Sequence, residues 1–261
     1  MTEEYHFLHY DVSGGIASIE LDRPPVNAIH EAMTDEYFDA LARADQDDAV
    51  KVLILSGRGK GLSAGADLRY LEAFGTQEMA EFLEKFYVQQ VERVRGLKKP
   101  IVASVHGFAR EGACTMAFTC DMVVASDDAS FGYPGVPNLA APPGMHVWHL
   151  QKLIGRMRAA ELILTGDVFT SQQARDWGLV NLVCAADELQ TFALETARKI
   201  AANGPVAVRQ AKQAISRGMQ MSLSDGLAFE IEAYNRTIPT QDRREGVAAF
   251  NERRPPQFSG G

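Results

Sequence analysis

Short apolar runs alternate with amphipathic segments along the chain, and their order predicts a mixed α/β protein. Residues 5–11 and 16–21 alternate apolar and polar positions around the Ser-Gly-Gly turn at residues 13–15, which predicts a β-hairpin. Residues 33–44 and 78–95 carry apolar side chains at helical spacing, which predicts two surface helices. Continuous apolar runs, which are typical of buried strands, occur at residues 52–55, 101–105, 122–125 and 180–184.

The second half of the chain is increasingly helical. Residues 131–143 are rich in Pro, Gly and Asn, which predicts an irregular segment. Further helices are predicted over residues 112–120, 147–154, 158–164 and 171–177, with several more between residues 187 and 251. No linker, charge block or low-complexity tract interrupts the sequence. We therefore expect one functional domain in which a core, residues 1–190, is followed by a helical region, residues 191–261.

Composition and charge narrow the possible functions. The chain has 261 residues, of which 46% are hydrophobic and 23% charged, as in ordinary globular proteins. The formal net charge of −8 argues against a nucleic acid or an anionic membrane as partner. Cys114, Cys120 and Cys184 fit neither a disulfide framework nor a zinc pattern, and no nucleotide-binding glycine motif is present. We expect free thiols, no metal and no redox cofactor.

The ends and apolar runs of the sequence bear on its location. The first ten residues are acidic and aromatic, without the basic and apolar segments of an export signal. No apolar run approaches the ~20 residues that a membrane-spanning helix requires. The expected location is therefore the cytoplasm, without attachment to a membrane.

Two loops that follow predicted strands combine small residues with amides that can bind a ligand. Residues 63–68 come after the strand at 52–55, and residues 106–114 come after the strand at 101–105. Small residues let the backbone approach a ligand closely. Gly112 is predicted at a helix N-terminus, where unpaired N–H groups point outward and the helix dipole favours negative charge. One N–H group from each loop, converging on a developing oxyanion, would stabilise a transition state.

A Gly-x-Ser-x-Gly pattern at residues 61–65 matches, by its letters alone, the nucleophile elbow of serine hydrolases. The elbow requires a strand that leads directly into the serine and a helix directly after it. Here several loop residues separate Ser63 from the preceding strand, and the first 62 residues leave little room for the strands that such a fold places before its nucleophile. We therefore reject a serine hydrolase.

Five segments occur in the order and spacing of the crotonase (enoyl-CoA hydratase/isomerase) superfamily. They are residues 21–29, 63–69, 99–121, 164–180 and 242–250. Between Asn27 and Phe258 the chain resembles this superfamily, and enoyl-CoA hydratases in particular. The resemblance implies an α/β fold, a crotonase-like spiral of ββα units, with a C-terminal helical region that builds a homotrimer or a dimer of trimers.

The resemblance also implies a substrate and the residues that contact it. The substrate is an acyl-CoA thioester, so coenzyme A enters as part of the substrate and no separate cofactor is expected. The N–H groups of Ala66 and Gly112 form the oxyanion hole that stabilises the thioester enolate. The expected substrate-binding residues are Ala28, Ala64, Asp67, Leu68, Arg69, Thr115, Tyr133 and Gly135.

The chain departs from the family pattern where hydratases carry two glutamates that hold and activate water. Thr115 stands at the first position and Gly135 at the second, and Pro143 stands where some isomerase relatives have their acidic residue. The remaining acid/base candidates are Glu111, directly before the expected oxyanion donor, and His146, whose type has an ordinary pKa near neutrality. An exposed loop glutamate and a surface or core histidine are the competing interpretations.

The resemblance thus predicts an enzyme, nominally an enoyl-CoA hydratase/isomerase, that binds acyl-CoA and stabilises its enolate. Two alternatives stay open because the acid/base glutamates are replaced. One is a divergent acyl-CoA hydrolase or decarboxylase, whose reaction needs no protein base. The other is a non-catalytic CoA-binding homologue, which binds thioesters without turnover.

Overall fold

A six-stranded sheet is the central feature of the computed structural model, which describes residues 5–143 and 146–261. The strands are β1 Leu8–Ser13, β2 Ile16–Leu21, β3 Val52–Gly57, β4 Ile101–Val105, β5 Phe108–Arg110, β6 Met122–Ser126, β7 Ser130–Gly132, β8 Phe169–Thr170 and β9 Leu182–Cys184. The large sheet has the order β1-β2-β3-β4-β6-β9; its first pair is antiparallel and the other pairs are parallel. Residues 1–4 and 144–145, which belong to the predicted core region 1–190, lie outside the described residues.

The hairpin of β1 and β2 confirms the predicted pairing but shifts the bounds of its first strand. Gly14 and Gly15 have φ values of 58° and 80°, the left-handed conformation that a two-residue type I′ turn requires. Ser13 therefore pairs directly with Ile16, and the register continues to Leu8 opposite Leu21. Because the two glycines alone make the turn, the first strand continues as far as Ser13, directly before the turn.

The predicted helices are present in the predicted order, with one exception beside the site. They are α1 Glu31–Gln46, α2 Leu68–Leu71, α3 Thr76–Leu83, α4 Gln90–Gly96, α5 Gly112–Thr119, α6 Gly135–Asn138, α7 His146–Ile154, α8 Arg156–Thr165, α9 Ser171–Asp176, α10 Leu189–Ala201, α11 Pro205–Gly218, α12 Leu223–Asn235 and α13 Gln241–Glu252. The prediction of a single α-helix over 78–95 is wrong, because a π-helical segment, Glu84–Gln89, joins α3 to α4. Within residues 5–143 and 146–261, none of the helices combines the length and apolar character that a bilayer crossing demands.

A second, three-stranded sheet has the order β5-β7-β8, and the sequence prediction contains none of it. Its strands have two or three residues each, which is too short for a periodic pattern to show. β7 and α6 both fall in the segment predicted to be irregular. That prediction is therefore wrong in part: the backbone at Phe131 pairs with Ala109 on one side and Phe169 on the other.

The large sheet is buried between helices, and its strands place the site at one edge. Leu189 and Ala197 of α10 pack in one apolar cluster with Val52, Ile54 and neighbouring strand residues. The helix α10 therefore belongs to the packing of the sheet, although it spans the boundary predicted at residue 190. Because β3 and β4 are parallel neighbours, the loops that follow them leave the sheet side by side. Such carboxyl edges of parallel strands are where α/β proteins commonly bind ligands.

Candidate active site

The loop that follows β3 is fixed by one buried side chain, Asn27. Its side-chain amide donates to the carbonyl oxygens of Gly61 and Leu62, each at 3.1 Å, and its Oδ1 accepts the N–H of Arg23 at 2.8 Å. Asn27 has a φ of 51°, a left-handed conformation that asparagine adopts more readily than most residues. These bonds hold the loop against the turn that follows β2.

Ser63 has a structural place within this loop. Its Oγ donates to the carbonyl oxygen of Asn27 at 2.6 Å and accepts the N–H of Gly65 at 3.0 Å. The residue is fully buried, and its backbone is paired with that of Ala109 in the loop after β4. A hydroxyl enclosed and bonded in this way stabilises the loop rather than presenting a nucleophile to solvent.

The two predicted loops meet at Gly65. This glycine has a φ of 89°, and a Cβ built on it would lie 2.9 Å from the carbonyl oxygen of Arg110 and 3.2 Å from Cβ of Glu111. On its other side, the carbonyl oxygen of Gly65 accepts the N–H of Ile29 at 2.8 Å. A larger residue would push the loops apart, so the close approach depends on glycine at this position.

The amides of Ala66 and Gly112 are free on adjoining loops. Ala66 lies opposite Ile29 in a parallel bridge. The residues on either side of Ala66 make the hydrogen bonds to Ile29, so the N–H of Ala66 points away from Ile29. Gly112 is the first residue of α5, where an N–H has no partner within the helix. Among the backbone and side-chain hydrogen bonds of the described residues, neither amide is a donor. Both are therefore available to an external acceptor, such as an oxyanion.

The π-helical segment packs against the start of α5 and explains why residue 112 is glycine. A Cβ on Gly112 would lie 2.4 Å from Cε1 of Phe86 and 3.2 Å from Cε1 of Tyr87. π-helical turns are rare and occur frequently at functional sites. Here the turn places two buried aromatic rings against the first residue of the helix, where a Cβ would stand.

A cavity of about 710 Å³ lies beside these loops. Of the residues predicted to bind substrate, Ala28, Asp67, Leu68 and Arg69 line it together with Ala66. Ala64 is not among the residues that line this cavity, and its N–H donates to the carbonyl oxygen of Val26 at 2.9 Å, so this N–H is not free for a ligand.

Arg23 and Tyr70 also line this cavity, and neither was predicted from the sequence as a site residue. Arg23 Nη2 lies 2.7 Å from Asp67 Oδ2, an ion pair across the cavity wall. The signal for Arg23 was its position in the first family-like segment, whereas Tyr70 lies outside every predicted element and family-like segment.

Glu111 is drawn into the protein, which shows the expectation of an exposed loop glutamate to be wrong. Its side chain is 14% exposed, and its backbone has a φ of 49°, a conformation that favours glycine. A non-glycine residue held in such a region costs about 1–3 kcal/mol and is found disproportionately at functional sites. Burial raises the pKa of the Glu111 carboxyl to about 7, so it exchanges protons near neutral pH.

The Glu111 carboxylate occupies the space next to Gly135, the first residue of α6. A Cβ built on Gly135 would lie 2.9 Å from Oε1 and 3.4 Å from Oε2 of Glu111. Oε1 has no hydrogen-bond partner among the described residues. Thr115 lies one turn along α5, where its N–H donates to the carbonyl oxygen of Glu111 at 3.2 Å, and its own hydroxyl is buried.

His146 completes this buried group as the first residue of α7. Its Nδ1 lies 3.5 Å from Oε2 of Glu111, and its side chain is 0% exposed. The ring packs between Tyr87 and Tyr133, at centroid distances of 5.2 and 4.9 Å. Burial lowers the pKa of His146 to about 3, and burial also raises the pKa of both tyrosines, so all three neighbours of the carboxylate are neutral.

Comparison with known proteins agrees with this architecture. The sequence model of the enoyl-CoA hydratase/isomerase family matches residues 11–261. The short-chain-enoyl-CoA hydratase of Clostridium acetobutylicum is 37% identical over 244 residues, which cover 92% of this chain and 93% of that protein. The mitochondrial enoyl-CoA hydratase of Pongo abelii is 32% identical over 244 residues, covering 93% of this chain and 83% of that protein.

A solved structure, the enoyl-CoA hydratase of Bacillus anthracis, superposes with a TM-score of 0.94 at 34% identity, covering 98% of this chain and all of that one. The mixed α/β crotonase fold predicted from the sequence is thereby confirmed. With a family match that extends over nearly the whole chain and relatives above 30% identity, this protein is a member of the enoyl-CoA hydratase/isomerase family.

Proposed function

We propose that this enzyme binds an acyl-CoA thioester and stabilises its enolate between the N–H groups of Ala66 and Gly112. The observation that carries the proposal is that these two amides are free and lie on loops in direct contact, beside a cavity of about 710 Å³ that Ala66 lines. The names of the relatives, which are hydratases of enoyl-CoA thioesters, support the substrate class.

The chemistry follows from where charge develops. When a proton leaves the carbon next to a thioester, the electron pair moves toward the carbonyl and leaves negative charge on its oxygen. Two fixed N–H groups aimed at that oxygen stabilise the charged state more than the neutral one. The positive end of the α5 dipole lies at Gly112 and acts in the same direction. Beside the buried rings of Phe86 and Tyr87, where the local dielectric constant is low, such donors are worth more than in water.

The cavity beside Ala66 is the proposed site of the coenzyme A moiety. Its walls carry Ala28, Leu68 and the Arg23–Asp67 ion pair, and Arg69 adds a second cation. Small and apolar cavity walls suit the narrow chain of coenzyme A, and a few charged groups suit its nucleotide. The proposal requires no metal and no redox cofactor, since coenzyme A arrives with the substrate.

We also propose that the chain assembles as a homotrimer or a dimer of trimers in the cytoplasm. The helices α11 to α13 expose large apolar side chains that a monomer would leave in water. They are Ile215, Leu223, Leu227, Ile231, Tyr234, Val247 and Phe250. A contiguous exposed apolar surface commonly marks a protein–protein interface. Sedimentation equilibrium would test the assembly, and a monomer at micromolar concentration would contradict it.

Removal of the two N–H groups, one at a time, tests the oxyanion hole. Ala66 would be replaced by lactic acid and Gly112 by glycolic acid through nonsense suppression, so that an ester oxygen takes the place of the N–H. The readout is exchange of the α-protons of a panel of saturated acyl-CoA thioesters in D₂O, followed by mass spectrometry. Each replacement is expected to slow exchange about 10²–10³-fold.

The matched control is the same replacement at Ala64, whose N–H is already bonded to Val26. This variant loses a loop hydrogen bond but should keep its exchange rate once folded. The proposal fails if exchange is unaffected at both Ala66 and Gly112, or if no thioester of the panel binds. Binding without any exchange by the wild-type protein would instead support a non-catalytic homologue.

A further inference from the structure

Residue 135 has no side chain, and the space where its side chain would begin is filled from another loop. Both carboxylate oxygens of Glu111 lie within 3.4 Å of the Cβ position of Gly135. Gly135 is itself buried, so this space is part of the interior. The carboxylate of one loop thus fills space into which a side chain on the other loop would extend.

The backbone at the two positions is mismatched to the residues that occupy them. Glu111 has a φ of 49°, which suits glycine, whereas Gly135 starts α6 with a φ outside the left-handed region, which any residue can adopt. Backbone conformation alone would favour glycine at 111 and a side chain at 135. The chain has the reverse arrangement, at a cost in strain.

We propose that Glu111 is the proton-transfer residue of this enzyme, supplying from the oxyanion-hole loop the carboxylate that a side chain at residue 135 would otherwise supply. This inference rests on the proposed function. The carboxylate takes the α-proton of the bound thioester; the C–H electron pair becomes the C=C bond of the enolate, and negative charge passes to the oxygen held by the amides of Ala66 and Gly112. The same carboxyl then returns a proton to carbon.

The other groups that face the Glu111 carboxylate do not compete for this role. His146 is neutral and wholly enclosed, Tyr87 and Tyr133 are held in the phenol form by burial, and the buried thiol of Cys114 has its pKa raised to about 12 by burial. Thr115 is no base at neutral pH. Within this buried cluster, the Glu111 carboxyl is therefore the group whose pKa lies near 7.

The first test removes the charge and keeps the shape. In Glu111→Gln, α-proton exchange of the best thioester of the panel should fall about 10²–10⁴-fold, while the dissociation constant of that thioester stays unchanged. Glu92→Gln, at an exposed position on α4, is the matched control and should exchange at the wild-type rate. Exchange by Glu111→Gln at the wild-type rate overturns the inference and leaves the proposed oxyanion hole intact. Absence of exchange in the wild-type protein contradicts the proposed function instead.

The second test moves the carboxylate between loops. Glu111→Gly should be as inactive as Glu111→Gln, and adding Gly135→Glu to it should raise the exchange rate again. Gly135→Glu alone would force two carboxylates into one space and should lower both exchange and the melting temperature. A double variant that folds, as judged by circular dichroism and melting, yet exchanges no faster than Glu111→Gly contradicts the shared position of the two side chains.

Discussion

Two carboxylates near the core of this protein differ in how completely their oxygens are satisfied. Oδ2 of Asp121 accepts the N–H of Ile101 at 2.8 Å and the ammonium of Lys212 at 2.7 Å. Lys212 is almost fully buried and also donates to the carbonyl oxygen of Lys99 at 3.0 Å. The pair therefore connects α11 to the start of β4, and Oδ2 already accepts two hydrogen bonds from the protein.

Glu111 has the opposite environment. It faces neutral rings, no cation pairs with it among the described residues, and one of its oxygens has no partner there. A buried polar group without a partner is costly in folding terms. The comparison shows that the Asp121 carboxylate stabilises the fold, whereas the Glu111 carboxylate lowers the stability of the fold and remains available to a ligand. Three measurements can break or sharpen this contrast.

The largest effect is expected when Asp121 loses its cation. Lys212→Met removes three hydrogen bonds of the ammonium and leaves the Asp121 carboxylate with the Ile101 amide as its one hydrogen-bond partner among the described residues. Breaking a buried ion pair from one side costs 3–5 kcal/mol, and we expect about 3 kcal/mol because Asp121 is partly exposed. Urea denaturation monitored by circular dichroism measures the loss.

Activity separates this structural role from a catalytic one. The folded Lys212→Met protein should exchange α-protons at the wild-type rate, and adding Asp121→Asn should recover part of the lost stability. If the single variant unfolds like the wild type but loses activity, the contrast between the two carboxylates is wrong.

A smaller effect of opposite sign is expected at Glu111. Its folded-state pKa of about 7 lies above the ordinary value of 4.5, so between these pH values the folded protein holds a proton that the unfolded chain has lost. The contribution of Glu111 to the stability of the wild type therefore falls as pH rises from 4.5 to 7. Glu111→Gln lacks this loss and should be the more stable protein at pH 8, by about 1–3 kcal/mol, but not at pH 4.

Thermal melting at pH 4 and pH 8 measures this difference. A gain of 1 kcal/mol corresponds to roughly 2–4 °C for a protein of this size class. A melting temperature that falls in the glutamine variant at pH 8 would mean that the ionised carboxylate stabilises the fold, as that of Asp121 does.

The smallest effect concerns His146, which we regard as a positioning residue for Glu111. His146→Phe keeps an aromatic ring between Tyr87 and Tyr133 but removes the polar atom 3.5 Å from the carboxylate. The pKa seen in the pH profile of exchange should move upward by at most about one unit, the equivalent of one weak hydrogen bond. His146→Gln should return the profile toward the wild type, whereas identical profiles for all three proteins would assign His146 to packing alone.

Much of the fold follows from periodicity, and the parts that do not have physical reasons. The parallel strands and most helices are long enough for apolar spacing to reveal them, as with β4 and α1. The π-helical segment escapes such analysis because its apolar residues, Phe86 and Tyr87, continue an acceptable α-helical pattern. The short strands of the second sheet are defined by their partners rather than by their own residues.

At the site, the sequence indicates the loops and the candidate residues, but not the depth of Glu111. The residue type at position 111 does not predict that the Glu111 backbone adopts a positive φ and directs the side chain inward. The approach of Glu111 to Gly135 joins residues 24 positions apart on different elements. Such a contact depends on the tertiary packing that brings the start of α5 near the start of α6, which local propensities do not determine.

The packing of Glu111 over Gly135 constrains how this site can change between related proteins. In this chain, an acidic residue introduced at position 135 would collide with the Glu111 carboxylate. A glycine introduced at position 111 would leave the site without a carboxylate. Either single step is disfavoured, so the two positions should change together or stay fixed. A lineage that places its acid on one loop is thereby confined to that choice, and the identity of one residue should forecast the other across descendants.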